Sequence, residues 1–490
     1  MAAPLAEHQK ETSTASGITF MQYAILVAVG AFATTFAQQR VLGNYPTLFL
    51  LKNHFHLKKE DISQFFFWAT FAWNIKPLAG ILTDAFPLFG TRRKSYMILG
   101  AAGAAILWIV MGFFPNNYNM LLIASIGVNV ATVIASTVMG GLMVEAGLTF
   151  GASGRMSSLR QVVQSIAGVG APLLGGYLAG KAFGWTATTT LCAITALMLV
   201  AVTVFVLKEK PLPPRTNELV PVVKYTIPIG AWIGLAVGAG AGIYLYTLSK
   251  ETQSIGKSLF ALVAVFILII GLVLVPTQNA VIAKAQAQLS QILRSRTLWL
   301  AATMLFLVYT VPGFSTAMTF RQTDDLKFSP AFIGQLDSIA SVCGLIGAFI
   351  YAAVCRKINL RVLIVGAVAI NAATTLLYLI YNRGNAIGIQ SIGGFIGVMT
   401  ELALMDLAVR STPKGCEALG FSLMMSVRNF GIGMSDVLGS KMIDSYHIPF
   451  NTLVIVNAAT TAGVLLFVFF LPKIVMNQKE GEAKAAEEPQ

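Results

Sequence analysis

Long apolar runs alternate with short polar segments along nearly the whole chain. Each run holds about 20 residues, the length at which an α-helix crosses the hydrocarbon core of a membrane. Six runs precede a charged, proline-rich segment at 208–224, two more follow it, and six others complete the chain. Their approximate bounds are 18–40, 61–83, 95–115, 119–146, 156–180, 185–207, 225–249, 258–283, 297–320, 330–355, 361–381, 385–409, 418–441 and 449–472. The pattern predicts an all-α polytopic membrane protein with about 14 transmembrane helices.

The same pattern predicts how the chain divides into domains. An N-terminal six-helix bundle is expected at 18–207, a linker with two extra transmembrane helices at 208–296, and a C-terminal six-helix bundle at 297–472. Residues 1–17 and 473–490 are polar and are expected to form disordered cytoplasmic tails. We interpret the inserted pair as peripheral packing, because its helices lack the intramembrane charges that mark a substrate pathway.

Composition supports a membrane protein and explains the basic net charge. Of the 490 residues, 56% are hydrophobic and only 11% are charged, whereas about a quarter are charged in soluble domains. A net charge of +13 would suggest nucleic-acid binding in a soluble chain. Here the preference of Lys and Arg for cytoplasmic loops explains it more simply. That preference places both termini in the cytoplasm, and we expect a plasma membrane location, the bacterial inner membrane in particular.

The residues that commonly carry catalysis or bind metals are scattered. The cysteines have no CxxC spacing and no neighbouring histidine cluster, which indicates free thiols rather than a zinc site or a disulfide framework. The histidines fall in tails or outer loops, and there is no nucleophile elbow, phosphate loop or HExxH motif. We therefore predict neither an enzyme nor a bound cofactor. The residues concerned are Cys192, Cys343, Cys355, Cys416, His8, His54, His56 and His447.

The segment at 73–96, WNIKPLAGILTDAFPLFGTRRKSY, joins two apolar runs through a basic turn. Its Gly80-x-x-x-Asp84 spacing, followed by a glycine and a basic cluster, resembles the loop between the second and third helices of major facilitator transporters. The elements at 76–78 (KPL) and 86–90 (FPLFG) resemble the folate/biopterin transporter family more specifically. This resemblance implies a major facilitator fold.

Three further segments extend the resemblance to both halves of the chain. They are 168–176 (GVGAPLLGG), 312–320 (PGFSTAMTF) and 413–431 (PKGCEALGFSLMMSVRNFG). The sequence departs from the family at two places. The family commonly has an acidic residue ahead of its fourth-helix Leu-Val-x-Glu segment, where this chain has Gly140 or Gly141, and Arg428 replaces a small polar residue.

The two halves also resemble each other. The motif LMVE at 142–145 matches LMD at 404–406, and SLRQ at 158–161 matches SVRN at 426–429. In transporters built from such repeats, the substrate site lies near the middle of the membrane between the halves.

Charged residues inside the apolar runs are candidates for a gate, because an ionised group in the bilayer needs a partner, a wet cavity or a function. We predict that Glu145 with Arg160, and Asp406 with Arg428 at the equivalent place, form charge pairs that close an inner gate when the cavity faces outward and break when it faces inward. Asp84 is expected to join this gate together with Arg92 and Arg93. In the alternative, these pairs are static struts between helix ends. The complete predicted inner gate is Asp84, Arg92, Arg93, Glu145, Arg160, Asp406 and Arg428.

Proton coupling requires a buried carboxyl group that can bind and release a proton near neutral pH. Glu401 is the first candidate because it lies roughly midway along its helix, and Asp436 and Asp337 follow it. In the alternative, Glu401 only forms a hydrogen bond to a neighbouring helix.

An anionic substrate would need a cation, and Arg40 and Lys76 are the candidates. Arg40 either binds a carboxylate through two parallel bonds or extends to the outer interface. Lys76 either faces the substrate or pairs with Asp84 or Glu145. Trp73 and Phe314 could stack on a flat heterocycle. The complete predicted substrate-binding set is Arg40, Gln38, Gln39, Lys76, Trp73, Phe314 and Asn429.

Together with the resemblance, these residues predict a secondary active transporter that works by alternating access. We expect a monomer that moves a pterin, a folate or another small organic anion together with protons, with the lipid bilayer and its small-molecule substrate as partners. One alternative is a permease for muropeptides or acyl-coenzyme A. An alternative of another class is a sensor or assembly subunit that retains the fold but does not transport.

Overall fold

The computed structural model describes residues 19–150, 153–209, 220–249 and 252–479, and these residues are overwhelmingly helical. The helices before the inserted pair are α1 (Phe20–Phe36), α2 (Asn44–Asn53), α3 (Lys59–Ala69), α4 (Lys76–Ala85), α5 (Lys94–Phe113), α6 (Tyr118–Thr149), α7 (Ser153–Ala179) and α8 (Gly184–Val206). The inserted pair is α9 (Ile229–Leu248) and α10 (Gln253–Leu274).

A helix with a polar face, α11 (Ala280–Arg294), leads into the second half of the chain. The helices that follow it are α12 (Arg296–Tyr309), α13 (Ser315–Phe320), α14 (Pro330–Val354), α15 (Leu360–Thr375), α16 (Ala386–Ser411), α17 (Glu417–Asp444), α18 (Phe450–Val464) and α19 (Lys473–Met476). Side-chain caps define several of the starts, as at α12, where Ser295 accepts a hydrogen bond from the backbone N–H of Leu298.

Two of the expected helices are broken near their middle. The second run contains α3, a 3₁₀ turn at Phe71–Ile75, and α4, whose first turn contains Pro77. Proline lacks an N–H group and is favoured in the first turn of a helix, where that N–H would have no intrahelical partner. The other break lies between α12 and α13, at Pro312 and Gly313. Both breaks free backbone groups and place polar side chains inside an otherwise apolar run.

By length and composition, ten of the described helices could each cross a membrane, or eleven if the bent pair of α11 and α12 forms one span. The first helix is shorter than the predicted span at 18–40, since α1 ends at Phe36. α17 has 28 residues, but it carries several charges within its apolar sequence. The architecture confirms an all-α polytopic protein, and the number of fourteen spans stays a prediction.

The helices form two compact units. The first unit comprises Met1–Phe55, Trp68–Val220 and Gln278–Ile282, and its core contains Leu26, Met97, Val138 and Leu199. The second unit comprises His56–Phe67, Pro221–Thr277 and Ala283–Gln490. Its core is built around Met304, Leu305, Leu404 and Leu407. The inserted pair and the start of α3 therefore belong to the second unit.

The expected terminal tails and part of the linker fall outside the described residues. This applies to 1–17, to 210–219 and to the chain from 480 onward. The expected C-terminal tail nevertheless begins with a short helix, α19, whose Val475 and Met476 are buried. Burial of these two apolar side chains explains why the chain is ordered beyond the last long helix.

Candidate functional site

Polar side chains of the first unit line one face of α6 and the neighbouring broken helix. Trp73 lies in the 3₁₀ turn and donates from its indole N–H to Asn129 Oδ1 at 2.9 Å. Gln39 is fully buried and donates to Ser125 Oγ at 2.7 Å. Asn129 donates in turn to Gln39 Oε1 at 3.4 Å. Buried polar groups need such partners, and here they form a chain of hydrogen bonds through the interior of the unit.

Lys76 extends this polar face. Its Nζ lies 3.0 Å from Ser136 Oγ and 5.1 Å from the centre of the Trp73 ring. The pairing expected with Asp84 or Glu145 is wrong, because Lys76 lies at the start of α4 and those carboxylates lie more than one helical turn further along α4 and α6. A hydroxyl and an aromatic face therefore hold Lys76 without neutralising its charge.

Arg160 on α7 is the second cation of the first unit. Glu145 contacts Arg93 rather than Arg160 in this structure, so the expected gate pair of Glu145 and Arg160 stays a prediction. Among the described residues, Arg160 forms no ion pair, and its buried Nε has no hydrogen-bond partner. Its positive charge acts repulsively on Lys76. Two like charges that lack a counter-charge are costly in a low-dielectric interior.

Glu145, which was expected to pair with Arg160, binds Arg93 together with Asp84. Arg93 Nη1 lies 2.7 Å from Asp84 Oδ1, and Arg93 Nε lies 3.1 Å from Glu145 Oε1. Arg93 follows the turn of the 73–96 segment, which brings it back to the ends of α4 and α6. The expected link of Asp84 to Arg93 is therefore present.

Glu209 fixes the same turn from the other side. Its carboxylate accepts hydrogen bonds from the backbone N–H groups of Arg92, Arg93 and Lys94, at distances from 2.8 to 3.3 Å. These N–H groups open α5, and a carboxylate is favourable at a helix N-terminus. Nothing in the sequence around Glu209 indicated this role, because it lies in a linker more than 100 residues from the turn.

In the second unit, the cation on α17 is neutralised. Arg428 Nη2 lies 2.5 Å from Glu401 Oε1 on α16, and the guanidinium group lies 5.3 Å from the centre of the Tyr309 ring. Arg428 also donates to the Oδ1 of its neighbour Asn429 at 3.3 Å. Arg428 therefore contacts Glu401 rather than Asp406 in this structure, and the expected gate pair of Asp406 and Arg428 stays a prediction. Glu401, the expected proton carrier, is the direct partner of an arginine.

Asp406 forms its ion pair within its own helix. Arg410, one turn later on α16, lies 2.6 Å from Asp406 Oδ2, and Tyr351 donates to the same oxygen at 3.3 Å. Residues four apart on a helix face the same side, so this pair was visible in the sequence. Arg410 also donates to the backbone carbonyl of Gln478, which ties the start of the C-terminal segment to α16.

The two remaining acidic candidates have separate partners. Asp436 is buried and accepts hydrogen bonds from the backbone N–H of Thr316 at 2.9 Å and from its hydroxyl at 2.7 Å. It thereby caps α13 after the break at Gly313. Asp337 accepts a hydrogen bond from Gln390 Nε2 at 3.3 Å. The structure brings neither side chain to the pair of Glu401 and Arg428.

The other expected substrate ligands are dispersed. Arg40 and Gln38 lie in the turn after α1, where Gln38 donates to the backbone carbonyl of Thr34. Phe314 packs edge-on against Tyr378 and Phe450 in the second unit, with ring centres 5.2 and 5.6 Å apart. These contacts indicate packing for Phe314, whereas Trp73 and Gln39 belong to the polar face near Lys76.

Metal ligands are not grouped in the described ranges, where no three His, Cys, Asp or Glu side chains lie close enough to hold an ion. All four cysteines are free thiols, and three of them, Cys192, Cys355 and Cys416, are buried.

The chain is similar in sequence to folate and folate-biopterin transporters of other organisms. The chain is 24% identical over 458 residues to the folate-biopterin transporter of Synechocystis, covering 90% of this chain and 80% of the relative. It is also 24% identical to the probable folate-biopterin transporter 4 of Arabidopsis thaliana, covering 95% and 97% of the two chains. Folate transporter 1 of Plasmodium falciparum is 21% identical, with 88% and 76% covered.

Solved structures agree on the fold. The POT family transporter PepTSo superposes with a TM-score of 0.66 at 13% identity, covering 92% of this chain and 97% of the other. A D-xylose-proton symporter superposes with a TM-score of 0.56 at 12% identity, with the same coverage. At such low identity these structures establish the fold alone, and it is the expected major facilitator fold.

The resemblance seen in the sequence motifs is thus confirmed over both halves of the chain. The profile of the BT1 family matches residues 39–489, which includes the inserted pair as well as the segments at 73–96 and 413–431. The protein is therefore a multi-pass membrane transporter that belongs to the BT1 family.

Proposed function

We propose that the protein is a secondary active transporter of the plasma membrane that works by alternating access and moves a folate-like or pterin-like organic anion together with protons. The observation that supports an anionic substrate is the pair of cations inside the first unit. Within the described part of the chain, Lys76 contacts a hydroxyl and an indole ring, and the charge that acts on it is that of the like-charged Arg160. A carboxylate would relieve their repulsion and satisfy the buried Nε of Arg160.

Trp73 supports a substrate with a flat ring. Its indole N–H is bound to Asn129, and Lys76 lies over the face of the ring. A planar heterocycle next to this side chain could stack on it while its acidic group reaches the cations. The names of the relatives, which specify folate and biopterin, support the same substrate class.

The ion pair in the second unit supports proton coupling. Protonation of Glu401 would remove the negative charge opposite Arg428 and free the guanidinium group, which also contacts Tyr309 and Asn429. A transporter that alternates between two states needs a contact of this kind, whose strength depends on the protonation state. We assign this role to Glu401 rather than to Asp436, both of whose oxygens already accept hydrogen bonds from Thr316.

The Arg93 cluster is proposed as an element of the inner gate. Arg93 joins the end of α4 to α6 through Asp84 and Glu145, and the Asp84 side chain remains about half exposed. An exposed ion pair can exchange partners with water at low free energy. Arg93 therefore replaces Arg160 as the basic partner in the gate that we expected.

Uptake into proteoliposomes tests the proposal. The full-length protein should accumulate folic acid or a pterin when the pH outside is lower than inside, and a proton ionophore should abolish the accumulation. The variant Glu401→Gln should still exchange substrate across the membrane but no longer accumulate it against a gradient. A matched control is Glu417→Gln, because Glu417 lies at the start of α17 and accepts a hydrogen bond from the nearby turn at Gly415.

A thermal-shift screen separates this function from its rivals. A ligand that binds the folded state raises the apparent melting temperature. Stabilisation by folates or pterins supports the proposal, whereas stabilisation only by muropeptides or acyl-coenzyme A points to the other kind of permease. Absence of both uptake and stabilisation for every compound would favour the non-transporting subunit.

A further inference from the structure

The start of α5, where Arg93 lies, is capped by a residue from a distant part of the chain. Arg93 is the N-cap residue of α5, and its side chain forms no hydrogen bond to the first turn of that helix. Glu209 supplies the cap instead. Its carboxylate accepts hydrogen bonds from the backbone N–H groups of Arg92, Arg93 and Lys94, at distances from 2.8 to 3.3 Å. The first N–H groups of a helix have no partner within the helix, so Glu209 fixes the backbone from which the Arg93 side chain extends.

The segment that carries Glu209 is itself anchored in the first unit. Leu207 is 1% exposed and belongs to the core of that unit. Lys94 Nζ donates to the backbone carbonyl of Val204, near the end of α8, at 3.1 Å. Glu209 follows Leu207 by two residues, a stretch of chain that spans at most about 7 Å. Burial of Leu207 therefore keeps the Glu209 carboxylate close to the start of α5.

The Arg93 side chain depends on the position of this backbone. Its guanidinium group binds Asp84 at 2.7 Å and Glu145 at 3.1 Å, and these carboxylates lie on two different helices, α4 and α6. A Cβ atom added at Gly141 on α6 would lie 2.7 Å from Arg93 Cζ, so the guanidinium group also packs closely against α6. A displacement of the start of α5 would therefore disturb both ion pairs at once.

The second unit contains an arrangement of the same kind. Arg410 holds Asp406 at 2.6 Å, and Arg410 Nη1 donates to the backbone carbonyl of Gln478 at 2.7 Å. The same carbonyl accepts a hydrogen bond from the backbone N–H of Leu360, the first residue of α15, at 3.2 Å. Gln478 follows α18, the last long helix of its unit, just as Glu209 follows α8. In both units, the segment that leaves the last long helix contacts an arginine that holds an acidic residue.

We propose that Glu209 is a positioning residue for transport: it holds Arg93 in contact with Asp84 and Glu145, and the charged linker at 208–224 thereby controls the inner gate. This inference rests on the proposed role of the Arg93 cluster as a gate element and extends that role to the linker. Glu209 acts through Arg93 and not on the substrate. Its loss should therefore slow the opening and closing of the gate and leave substrate binding in place.

Initial rates of folic acid uptake into proteoliposomes test this role. Glu209→Gln should lower the maximal rate by about fivefold or more, because an amide oxygen accepts weaker hydrogen bonds than a carboxylate. The concentration for half-maximal uptake should change by less than about twofold. Glu209→Asp keeps the charge on a shorter side chain and should recover part of the lost rate. The matched control is Lys208→Gln, because Lys208 is the exposed neighbour of Glu209 in the linker, and it should transport at the wild-type rate.

A double variant shows whether Glu209 acts through Arg93. In the Arg93→Met background, Glu209→Gln should slow uptake no further, since two residues that act through one contact are not additive. Amide hydrogen exchange over residues 88–98 gives a readout that does not depend on transport. It should be faster in Glu209→Gln than in the wild type and unchanged in Lys208→Gln. Glu209→Asp provides the same comparisons if Glu209→Gln is not recovered as folded protein.

Three results would overturn the inference while leaving the transporter proposal intact. They are folic acid uptake by Glu209→Gln at the wild-type rate, equal slowing by Glu209→Gln with and without Arg93, and unchanged amide exchange over 88–98. A wild-type protein that transports neither folates nor pterins would instead remove the proposed function and this inference with it.

Discussion

Lys441 is a nearly fully buried lysine whose charge is balanced by Glu60, and this pair allows a quantitative test of the structure. Lys441 Nζ lies 3.2 Å from Glu60 Oε1, and the side chains are 1% and 17% exposed. Both residues belong to the second unit, Lys441 near the end of α17 and Glu60 at the start of α3. Ser254, at the start of the inserted helix α10, contacts both charged groups. The pair therefore links three helices.

The expected loss of stability depends on which charged group each variant leaves without its partner. Removal of one partner of a buried ion pair typically destabilises a protein by about 3–5 kcal/mol. Lys441→Met should fall at the lower end, about 3 kcal/mol, because Glu60 keeps hydrogen bonds from Ser445 at 2.6 Å and Gln64 at 3.0 Å. This corresponds to more than a hundredfold change in the unfolding equilibrium.

The assay is a double-mutant cycle on unfolding in mixed detergent micelles. Glu60→Gln alone should destabilise the protein at least as much as Lys441→Met, since it leaves a buried ammonium group without a counter-charge. The double variant removes both charges and should return to within about 1 kcal/mol of the wild type. The matched control is Lys59→Met, because Lys59 pairs with Asp444 at the same 3.2 Å but is 25% exposed, so its loss should cost about 1 kcal/mol or less.

Two outcomes would refute this reasoning. One is a Lys441→Met variant no less stable than Lys59→Met, which would mean that burial does not distinguish the two pairs. The other is additivity of the two single changes, which would mean that Lys441 and Glu60 do not interact.

Three further predictions concern other parts of the chain. Gly256→Val should destabilise the protein by about 1–3 kcal/mol, because a Cβ there would lie 2.7 Å from the backbone of α9. The control Gly234→Val places its side chain in open space and should be neutral. Equal effects of the two variants in a thermal-shift assay would contradict this packing. Asp436→Ala should destabilise the protein by about 1–3 kcal/mol, because the backbone N–H of Thr316 would lose its hydrogen-bond acceptor. The variant should leave the pH dependence of uptake unaltered. A changed pH profile would instead give Asp436 a role in proton coupling. Arg93→Met should reduce uptake in proteoliposomes at least about tenfold while substrate-induced stabilisation persists, since it breaks the contacts to both gate carboxylates; normal uptake would make the cluster a static strut.

Ion pairs between residues that are close together in the chain can be predicted from the sequence, whereas pairs between distant residues cannot. The pair of Asp406 and Arg410 follows from helical periodicity, because four residues on a helix bring two side chains to the same face. The link of Asp84 to Arg93 lies within one short turn. In contrast, Glu401 and Arg428 are separated by a loop, and Glu145 and Arg160 lie on adjacent helices yet do not pair.

The positions of these long-range partners depend on the register between helices. A shift of one residue turns a side chain by about 100° about the helix axis, so the register of α6 against its neighbours decides which cation Glu145 meets. Hydropathy does not specify this rotation, because lipid-facing and buried apolar residues look alike in membrane helices. The two mid-helix breaks, at Trp73 and Gly313, add bends that a count of apolar residues does not show.

The sequence by itself determined that the protein lies in a lipid bilayer, that it is all-helical and to which family it belongs. These properties follow from local features, namely runs of apolar residues long enough to cross the hydrocarbon core and short motifs at the turns. Only the tertiary structure decided which charges are neutralised and which are not. Arg160 and Arg428 occupy matching motifs, yet Arg428 has a carboxylate opposite and Arg160 has none among the described residues. The reason is that ion pairing requires atoms of separate helices to come within about 4 Å of each other.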